Sequence, residues 1–470
     1  MSTGALPGFR DFYPAEFAER SHIFDAWRSV ARRFAFAEYD GPPLEPLDLF
    51  TKKSGDEIVG QLYNFEDKGG RQVALRPEMT PTVARMVAAR ANALRKPVRW
   101  FTMPQLFRYE RQQKGRLREH YQLNVDIFGE ADVSADAEVL AVAIEIMRAL
   151  GLGPDVVRAR VSDRRLLNAL LHAAGVTEEQ LPATYAVIDK IERVPLEVSH
   201  ERLAAAGLTG DLPAAVTTLV NESRALDTLR ARFPHDVQVA EHLARFEQYF
   251  ATLEALGVKE YVDLDLRIVR GLAYYTGIVF ELFDASGEFR AICGGGRYDN
   301  LLQALGGVDM PALGFGMGDV VLGELLRARG LMPAGAPRIE FWVAPVASTN
   351  RLEAVRVATA LRKAGASAEY PLREQALGKQ LKAAGNAGAS KVVFVGPELE
   401  SLGRVEVKTL ADGSQRQLPL DELISQVRDH SSGSADRRAK MSPKVIVEFG
   451  MASNWGAGLF LKLFASATRR

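Results

Sequence analysis

A helical block within a strand-rich chain is the feature that most constrains the fold. Residues 164–258 are rich in alanine, leucine, glutamate and arginine, whereas the sequence on both sides is typical of strands. A run of helices between two strand-rich blocks indicates an insertion into one domain. We therefore predict an α+β fold in which a sheet domain, residues 1–163 and 259–332, is interrupted by a helical insertion at 164–258.

The pattern changes after a linker rich in proline and glycine, "LMPAGAPR". Beyond this linker strands alternate with amphipathic helices, as where "IEFWVAPVA" is followed by "NRLEAVRVATALRKAG". The alternation predicts a small α/β domain at 336–427. Residues 428–470 begin with the polar, linker-like "RDHSSGSADRRAK", and we assign this tail no role.

Composition excludes several classes of protein. The 59 basic and 59 acidic side chains balance, so nucleic acid could bind only through local patches. The single cysteine, Cys293, excludes an intramolecular disulfide and a cysteine-based zinc cluster, and it suits a reducing compartment. Because no apolar run approaches the roughly 20 residues of a membrane helix and no signal-peptide pattern is present, we predict a cytoplasmic protein without a membrane span.

The strongest local signal is "FRYERQQKGRLREHYQLNVDIFG", residues 107–129, which predicts two strands around a basic turn. Strand alternation places Arg108 and Glu110 on the same face. Burying an arginine above a sheet costs desolvation free energy unless an anion or a carboxylate pairs with it, and a triphosphate would supply that anion. The alternative is a solvated hairpin tip, which is where most charge-rich turns lie.

The stretch "RIVRGLAYYTG", residues 267–277, allows two interpretations. It could be a strand entering a turn, with Tyr274 and Tyr275 as ordinary wall residues. It could also be a pocket wall, where Arg270 meets an anion and a tyrosine hydroxyl fixes a small polar ligand. The stretch by itself does not decide between them.

Five motifs together resemble those of the histidyl-tRNA synthetases, in the same order. They are "LRPEMTPTVAR" at 75–85, the stretch at 107–129, "RGLAYYTGIVFE" at 270–281, "CGGGRYDNLL" at 293–302 and "LGFGMGDVVLGELL" at 313–326. The resemblance extends from "LPGFRDFYP" to about Val427. It implies a class II synthetase core, an antiparallel sheet flanked by helices, that works as a homodimer through "GPPLEPLDLF", with Pro42 as the characteristic proline.

The C-terminal α/β domain is similar to the anticodon-binding domain of these synthetases. The stretch "LGKQLKAAGNAGASKVVFVG" at 377–396 carries this similarity. Lys379 and Lys382 could contact RNA, although lysines on a helix face are more often only solvated.

The resemblance implies an ATP-dependent histidine–tRNA ligase that acts on L-histidine and tRNA-His. Mg²⁺ would be carried by ATP, and no protein metal site is expected. Arg108 and Arg270 would be the catalytic pair. By the same matching, three sets of residues would bind the substrates: for histidine, Glu78, Met79, Thr80, Arg108, Gln122, Asp126, Arg270, Tyr274 and Tyr275; for ATP, Arg108, Glu110, Arg116 and Arg270; and for tRNA, Gln112, Gln113, Lys114 and Arg116.

Three positions depart from the family pattern. Ala273 replaces an aspartate found in many members, Val321 replaces the arginine of the third motif, and Asp126 replaces a more usual glutamate. Arg297 is a candidate substitute for the missing cation, or else a structural arginine. We interpret His120, beside the second motif, as structural.

Two other functions fit parts of the same pattern. One is a non-catalytic regulatory subunit of histidine biosynthesis, which keeps the core fold without charging tRNA. The other is a sensor that binds uncharged tRNA without catalysis. Arg270, the "YYTG" element and the attached C-terminal domain favour the ligase over the regulatory subunit.

Overall fold

The computed structural model describes residues 4–51, 60–110, 115, 117–270, 275–333, 335 and 339–440, and for 431–440 the backbone alone. The chain divides into two compact units, Met1–Ala336 and Pro337–Arg470. Among the helices in these ranges, none combines the length and the apolar character needed to cross a membrane.

The first unit combines strands and helices along its whole length. In chain order its strands are β1 (Ala37–Glu38), β2 (Leu44–Pro46), β3 (Asn64–Glu66), β4 (Gln72–Leu75), β5 (Val98–Thr102), β6 (Gln105–Phe107), β7 (Glu119–Phe128), β8 (Val157–Asp163), β9 (Val262–Leu264), β10 (Ile278–Asp284), β11 (Cys293–Arg297) and β12 (Ala312–Gly318). Its helices are α1 (Pro14–Arg33), α2 (Leu47–Thr51), α3 (Thr80–Ala88), α4 (Val133–Ala149), α5 (Arg164–Ala174), α6 (Leu181–Ile188), α7 (Leu196–Ala205), α8 (Leu212–Glu222), α9 (Leu226–Arg232), α10 (Val237–Ala255), α11 (Leu301–Gly306) and α12 (Asp319–Ala328).

A nine-stranded sheet forms the centre of this unit. Eight of its strands lie side by side in the order β1–β5–β7–β12–β11–β10–β8–β9, and the ninth, β6, pairs with β7. The pairs from β5 to β8 are antiparallel, whereas the edge pairs β1–β5 and β8–β9 are parallel. The predicted antiparallel core is therefore confirmed, with one parallel pair at each edge.

The central strand β7 explains why the sheet is covered on both faces. Its residues from Leu123 to Phe128 are all buried, so side chains pointing to either face are removed from water. β6 and β7 are the two strands predicted around the basic turn of residues 107–129. The hairpin expected between residues 61 and 76 is also present, as β3 and β4, and β2 pairs with the other edge of β4.

Helix α4 joins the sheet to the helical insertion. The Asp132 side chain caps its first turn by accepting a hydrogen bond from the backbone N–H of Ser134 at 2.8 Å. α10 packs against both α4 and α5. Leu140 of α4, Leu170 of α5 and Phe246 of α10 belong to one continuous buried core. The predicted helices of 164–258 therefore share their core with the sheet domain.

The second unit is a five-stranded sheet with helices. Its strands are β13 (Phe341–Pro345), β14 (Ala368–Glu369), β15 (Lys391–Val395), β16 (Arg404–Thr409) and β17 (Gln415–Pro419), and its helices are α13 (Arg351–Lys363), α14 (Leu377–Asn386), α15 (Pro397–Leu402) and α16 (Leu420–Lys440). The strand order is β14–β13–β15–β16–β17, parallel around β13 and antiparallel from β15 to β17.

Helix α16 corrects one expectation. It continues past Val427 to Lys440, so the polar stretch that begins at Arg428 is helical and not a linker. The stretch contains no proline, and its single glycine weakens a helix without ending it. Residues 441–470 lie outside the described residues.

Candidate active site

Two adjoining cavities lie over the centre of the nine-stranded sheet. Their volumes are about 320 and 100 Å³, and we call them the larger and the smaller cavity. Both are lined by Arg108, Gln122, Arg270, Gly294 and Gly316. Residues from the second motif, from the end of the "RIVRG" stretch and from the glycine-rich strands therefore meet at one place.

Glycines of β11 and β12 form the floor beneath these side chains. A Cβ atom at Gly294 would lie 1.4 Å from Nη1 of Arg270, and one at Gly314 would lie 2.1 Å from Oδ1 of Asp126. A Cβ at Gly316 would lie 2.8 Å from the side-chain amide carbon of Gln122. Each glycine leaves the space that one polar side chain occupies. Sequence reasoning treated such glycine runs as common and missed this role.

The smaller cavity brings together most of the residues expected to hold histidine. It is lined by Glu78, Thr80, Arg108, Gln122, Asp126, Arg270 and Tyr275, and also by Asn124, Tyr298 and Phe315. Met79 lines neither cavity, because its side chain is fully buried and its sulfur lies 3.9 Å from Nη1 of Arg76. Sequence reasoning missed Tyr298, although it follows directly after the "GGGR" run.

Asp126 is a buried carboxyl group of the smaller cavity. Its exposed fraction is 4%, and the hydroxyl of Tyr298 donates a hydrogen bond to its Oδ1 atom. Burial raises the pKa of Asp126 to about 7, and the hydrogen bond from Tyr298 opposes that rise. The carboxyl is therefore divided between its two protonation states near neutral pH. A ligand that donates an N–H group would favour the ionised form.

Arg270 is held in an unusual backbone conformation. Its φ is +50°, in the left-handed region that non-glycine residues seldom adopt. Nη1 lies 3.4 Å from Oε1 of Glu281 and donates to the carbonyl of Phe280 at 3.4 Å, and the guanidinium carbon lies 5.5 Å from the ring centre of Tyr275. Glu281 lies directly opposite Gly294 in the β10–β11 register, so the guanidinium rests on this pair.

Arg108 lines the same two cavities from the segment that directly follows β6. Its Nε donates to the carbonyl of Pro77 at 2.9 Å, and its backbone N–H donates to the carbonyl of Arg118 at 2.9 Å. Arg108 and Glu110 both line the larger cavity, although the strand predicted to carry them, β6, ends at Phe107. Two arginines far apart in the sequence thus line one cavity.

The larger cavity is lined by charged, polar and apolar side chains. Among them are Glu281, His120, Leu117, Cys293 and Val321. Burial, together with the positive charges of Arg108 and Arg10, lowers the pKa of His120 to about 3, so its imidazole is neutral at physiological pH. His120, which we interpreted as structural, also lines the larger cavity.

Arg297 is not a substitute cation. Its side chain is completely buried, and its Nε donates to both carboxylate oxygens of Asp136 at 3.1 Å. A further bond, from Nη1 to the carbonyl of Glu130, has a length of 2.9 Å. Arg297 lines neither cavity, and its role is to join β11 to α4. Val321, by contrast, does line the larger cavity where the family arginine was expected.

Several predicted residues fall outside the described part of the chain. They are Ala273, Tyr274, Gln112, Gln113, Lys114 and Arg116. Within the part that is described, no group of three or more histidine, cysteine, aspartate or glutamate side chains could hold a metal ion.

Comparison with known proteins agrees with this arrangement. Residues 8–318 match the family model described as histidyl-tRNA synthetase, and residues 340–430 match the anticodon binding domain. The chain is 42% identical over 441 residues to the histidine–tRNA ligase of Opitutus terrae, across 91% of this chain and 98% of that protein. It is 40% identical over 418 residues to the chloroplastic/mitochondrial histidine–tRNA ligase of Arabidopsis thaliana, across 88% and 85%.

Solved structures show the same fold. The histidyl-tRNA synthetase of Nostoc sp. PCC 7120 has a TM-score of 0.80 at 24% identity and covers 92% of this chain and 100% of its own. An ATP phosphoribosyltransferase regulatory subunit/histidyl-tRNA synthetase from Bacillus halodurans has a TM-score of 0.70 at 23% identity, over 84% and 98%. Since a family model matches well over half of the chain and the relatives match nearly all of it, the protein belongs to the histidyl-tRNA synthetase family.

Proposed function

We propose that this protein is an ATP-dependent histidine–tRNA ligase. It activates L-histidine as histidyl-adenylate, releasing pyrophosphate, and then transfers the histidyl group to the 3′ end of tRNA-His. The observation that carries the proposal is the meeting of Arg108 and Arg270 on two adjoining cavities, one of which contains a buried carboxylate. The names of the curated relatives support the same activity.

The first step joins two anions, the carboxylate of histidine and the α-phosphate of ATP. A carboxylate oxygen attacks the α-phosphorus, and the bond from that phosphorus to the pyrophosphate oxygen breaks. Charge neutralisation and positioning lower this barrier, since no new nucleophile has to be generated. Arginine suits the task because it stays cationic and can bind two oxygens at once. Arg108 and Arg270 are the residues that we assign to it.

The smaller cavity is the proposed histidine site. An imidazole N–H would donate to Asp126, whose other contact is the Tyr298 hydroxyl. Glu78 would meet the α-ammonium group, and Gln122 and Thr80, which line the same cavity, would offer further polar contacts. The set expected from the family is completed by Met79, Tyr274 and Tyr275. Met79 would act only indirectly, by packing beside the residues that contact histidine.

The larger cavity is the proposed ATP site. Glu110 would face the adenine amino group, and Arg116 would contact the phosphates. Mg²⁺, carried by ATP on its β- and γ-phosphates, would reduce their charge. Neutral His120 and apolar Val321 add no charge to the lining. We therefore propose that the outer phosphates are bound mainly through Mg²⁺ and Arg116.

The RNA would contact both units of the chain. The turn that contains Gln112, Gln113, Lys114 and Arg116 would approach the acceptor end of tRNA-His. The anticodon-binding domain at 336–427 would bind the anticodon, with Lys379 and Lys382 as candidate contacts. We further propose that the protein acts in the cytoplasm as a homodimer, and sedimentation at twice the 51.6 kDa chain mass would support the dimer.

Histidine-dependent exchange between ATP and pyrophosphate tests the catalytic proposal. We expect the wild-type protein to catalyse exchange and Arg270→Ala to lose it while keeping its melting temperature, because the variant lacks one of two cations at the phosphorus. Arg327→Ala is a matched control, since this arginine is 54% exposed and pairs with Glu19 on the surface.

The other two functions predict different results in the same assay. Absence of exchange with intact tRNA binding would indicate an uncharged-tRNA sensor. Absence of both activities would indicate a regulatory subunit. Exchange that is unchanged in Arg270→Ala would contradict the assignment of the catalytic pair.

A further inference from the structure

An exposed tyrosine lies directly beside the larger cavity without facing it. Tyr109 stands between Arg108 and Glu110, which both line that cavity. Tyr109 itself lines neither the larger nor the smaller cavity. Its exposed fraction is 55%, which is high for a large aromatic side chain. Such a ring costs hydrophobic free energy unless something covers it.

The ring of Tyr109 is held firmly by its surroundings. Its backbone N–H donates to the carbonyl of Gln61 at 2.8 Å, and its ring meets the edge of Tyr63 with 5.4 Å between centres. Tyr63 in turn packs against Phe9 at 6.1 Å, and Phe9 packs against Phe107 at 6.4 Å. The exposed ring therefore rests on an aromatic base and does not move freely.

An arginine covers part of the same ring. The guanidinium carbon of Arg118 lies 4.2 Å from the ring centre of Tyr109. Its donors contact the carbonyl oxygens of Glu110 at 3.3 Å and of Pro7 at 3.5 Å. Within the described ranges these contacts are to neutral oxygens, and no carboxylate pairs with Arg118. Its aliphatic stem lies against Gly8, where a Cβ would come within 2.7 Å of Cγ.

We propose that Tyr109, Tyr63 and Arg118 form a platform for an unpaired nucleotide at the 3′ end of the RNA substrate. A base would stack on the free part of the Tyr109 ring, and Arg118 would meet the adjoining phosphate. Stacking on an aromatic ring beside a cation is how proteins hold single-stranded nucleic acid. This proposal rests on the proposed ligase function and adds a binding site outside the two cavities.

The position of the platform favours RNA over ATP as its occupant. ATP bound in the larger cavity would be separated from the Tyr109 ring by the backbone of the segment that carries Arg108 and Glu110. The RNA end, by contrast, has to pass from outside the protein to the adenylate within the cavity. The platform lies on the outer side of the same segment, one residue from the cavity lining.

The test compares Tyr109→Ala with the wild-type protein on two tRNA-His transcripts, one complete and one lacking its unpaired 3′ nucleotides. We expect the variant to bind the complete transcript about tenfold or more weakly, the scale of one lost stacking contact. Binding of the shortened transcript should not change. Exchange between ATP and pyrophosphate should keep its rate and its KM for ATP, because that reaction needs no RNA.

Three further variants make the result decisive. Tyr109→Phe keeps the stacking face and should bind the complete transcript like the wild type, whereas Tyr109→Leu keeps apolar bulk against Tyr63 and should still bind weakly. Tyr13→Ala removes another tyrosine that is 69% exposed and should have no effect.

Three results would overturn the platform. They are equal weakening on both transcripts, no weakening on either transcript, and a change in the KM for ATP. Loss of exchange in the wild-type protein would instead overturn the proposed function, so the two failures can be told apart.

Discussion

The smaller and the larger cavity share Arg108 and Arg270, yet they are built in different ways. The smaller cavity is lined mainly from within paired strands, where Asp126 on β7 lies directly opposite Gly314 on β12. The larger cavity also contains strand residues such as Glu281 and Gly316, but loops and the start of α12 supply much of its lining, including Glu110, Ile292 and Val321.

This difference fits the two proposed ligands. A small rigid side chain such as imidazole can be recognised only by groups held at fixed positions, and strands in the middle of a sheet provide them. A triphosphate is long and flexible and carries its own cation. Its site can therefore tolerate more changes of sequence than the imidazole site can. Replacement of a family arginine by Val321 falls in the larger cavity and not in the smaller one.

Replacing Gly294 with alanine should have the largest effect, because it acts on a side chain common to both cavities. The new Cβ would take the place of Nη1 of Arg270. The guanidinium is the free end of a flexible side chain, so the fold can absorb the change while the charge moves away from the cavity floor. We expect exchange to fall by about 100- to 1,000-fold, as when a transition-state donor is removed.

The control for this variant is Gly323→Ala in α12. A Cβ there would make only ordinary contacts, 3.6 Å or more from its neighbours. Exchange rates and melting curves of both variants check the prediction. Full activity of Gly294→Ala would show that catalysis does not require the Arg270 guanidinium at its position above Gly294.

Asp126→Asn should affect the smaller cavity alone. It removes the charge that accepts the imidazole N–H, so kcat/KM for histidine should fall by roughly 10- to 100-fold, the scale of a hydrogen bond to a charged group. The KM for ATP should not change. Since the pKa of Asp126 is about 7, wild-type kcat/KM for histidine should rise with pH around 7, and this rise should be absent from the variant.

The same substitution should change stability in a pH-dependent way. The folded pKa of about 7 lies above the usual value of 3.8, so the folded state loses stability as pH rises between these two values. Asparagine does not carry this penalty. The melting temperature of Asp126→Asn relative to wild type should therefore be higher at pH 8 than at pH 5. An equal difference at both pH values would contradict the burial of an ionisable Asp126.

Glu281→Gln should have the smallest effect and should be confined to the larger cavity. Burial raises the pKa of Glu281, and Arg270 opposes that rise. We expect loss of the ion pair to lower kcat of exchange about fivefold, the scale of a partly exposed pair. The KM for histidine should stay constant, while the KM for ATP should fall because Glu281 no longer offsets the positive charge of Arg270. A shift in the KM for histidine would mean that the two cavities are not separable.

Much of this molecule could be predicted from local sequence. The hairpin at 61–76, the strands around the basic turn and the helices of 164–258 follow from periodicity and glycine positions. The participation of Arg108, Gln122, Asp126 and Arg270 in one site came from motifs in a known order. Other features depend on the fold. Met79 is adjacent to Glu78 in the motif, but only the fold shows that its side chain turns inward.

What the sequence determined by itself is therefore the set of elements and the chemical groups available to the site. The tertiary structure decided which groups meet, because neighbours in a sheet are set by strand order and not by chain order. The two adjacent strands β11 and β12 place Gly294, Gly314 and Gly316 under side chains from distant segments. The same pairing buries Arg297 against Asp136 and leaves Arg270, 27 residues before it, facing the cavity.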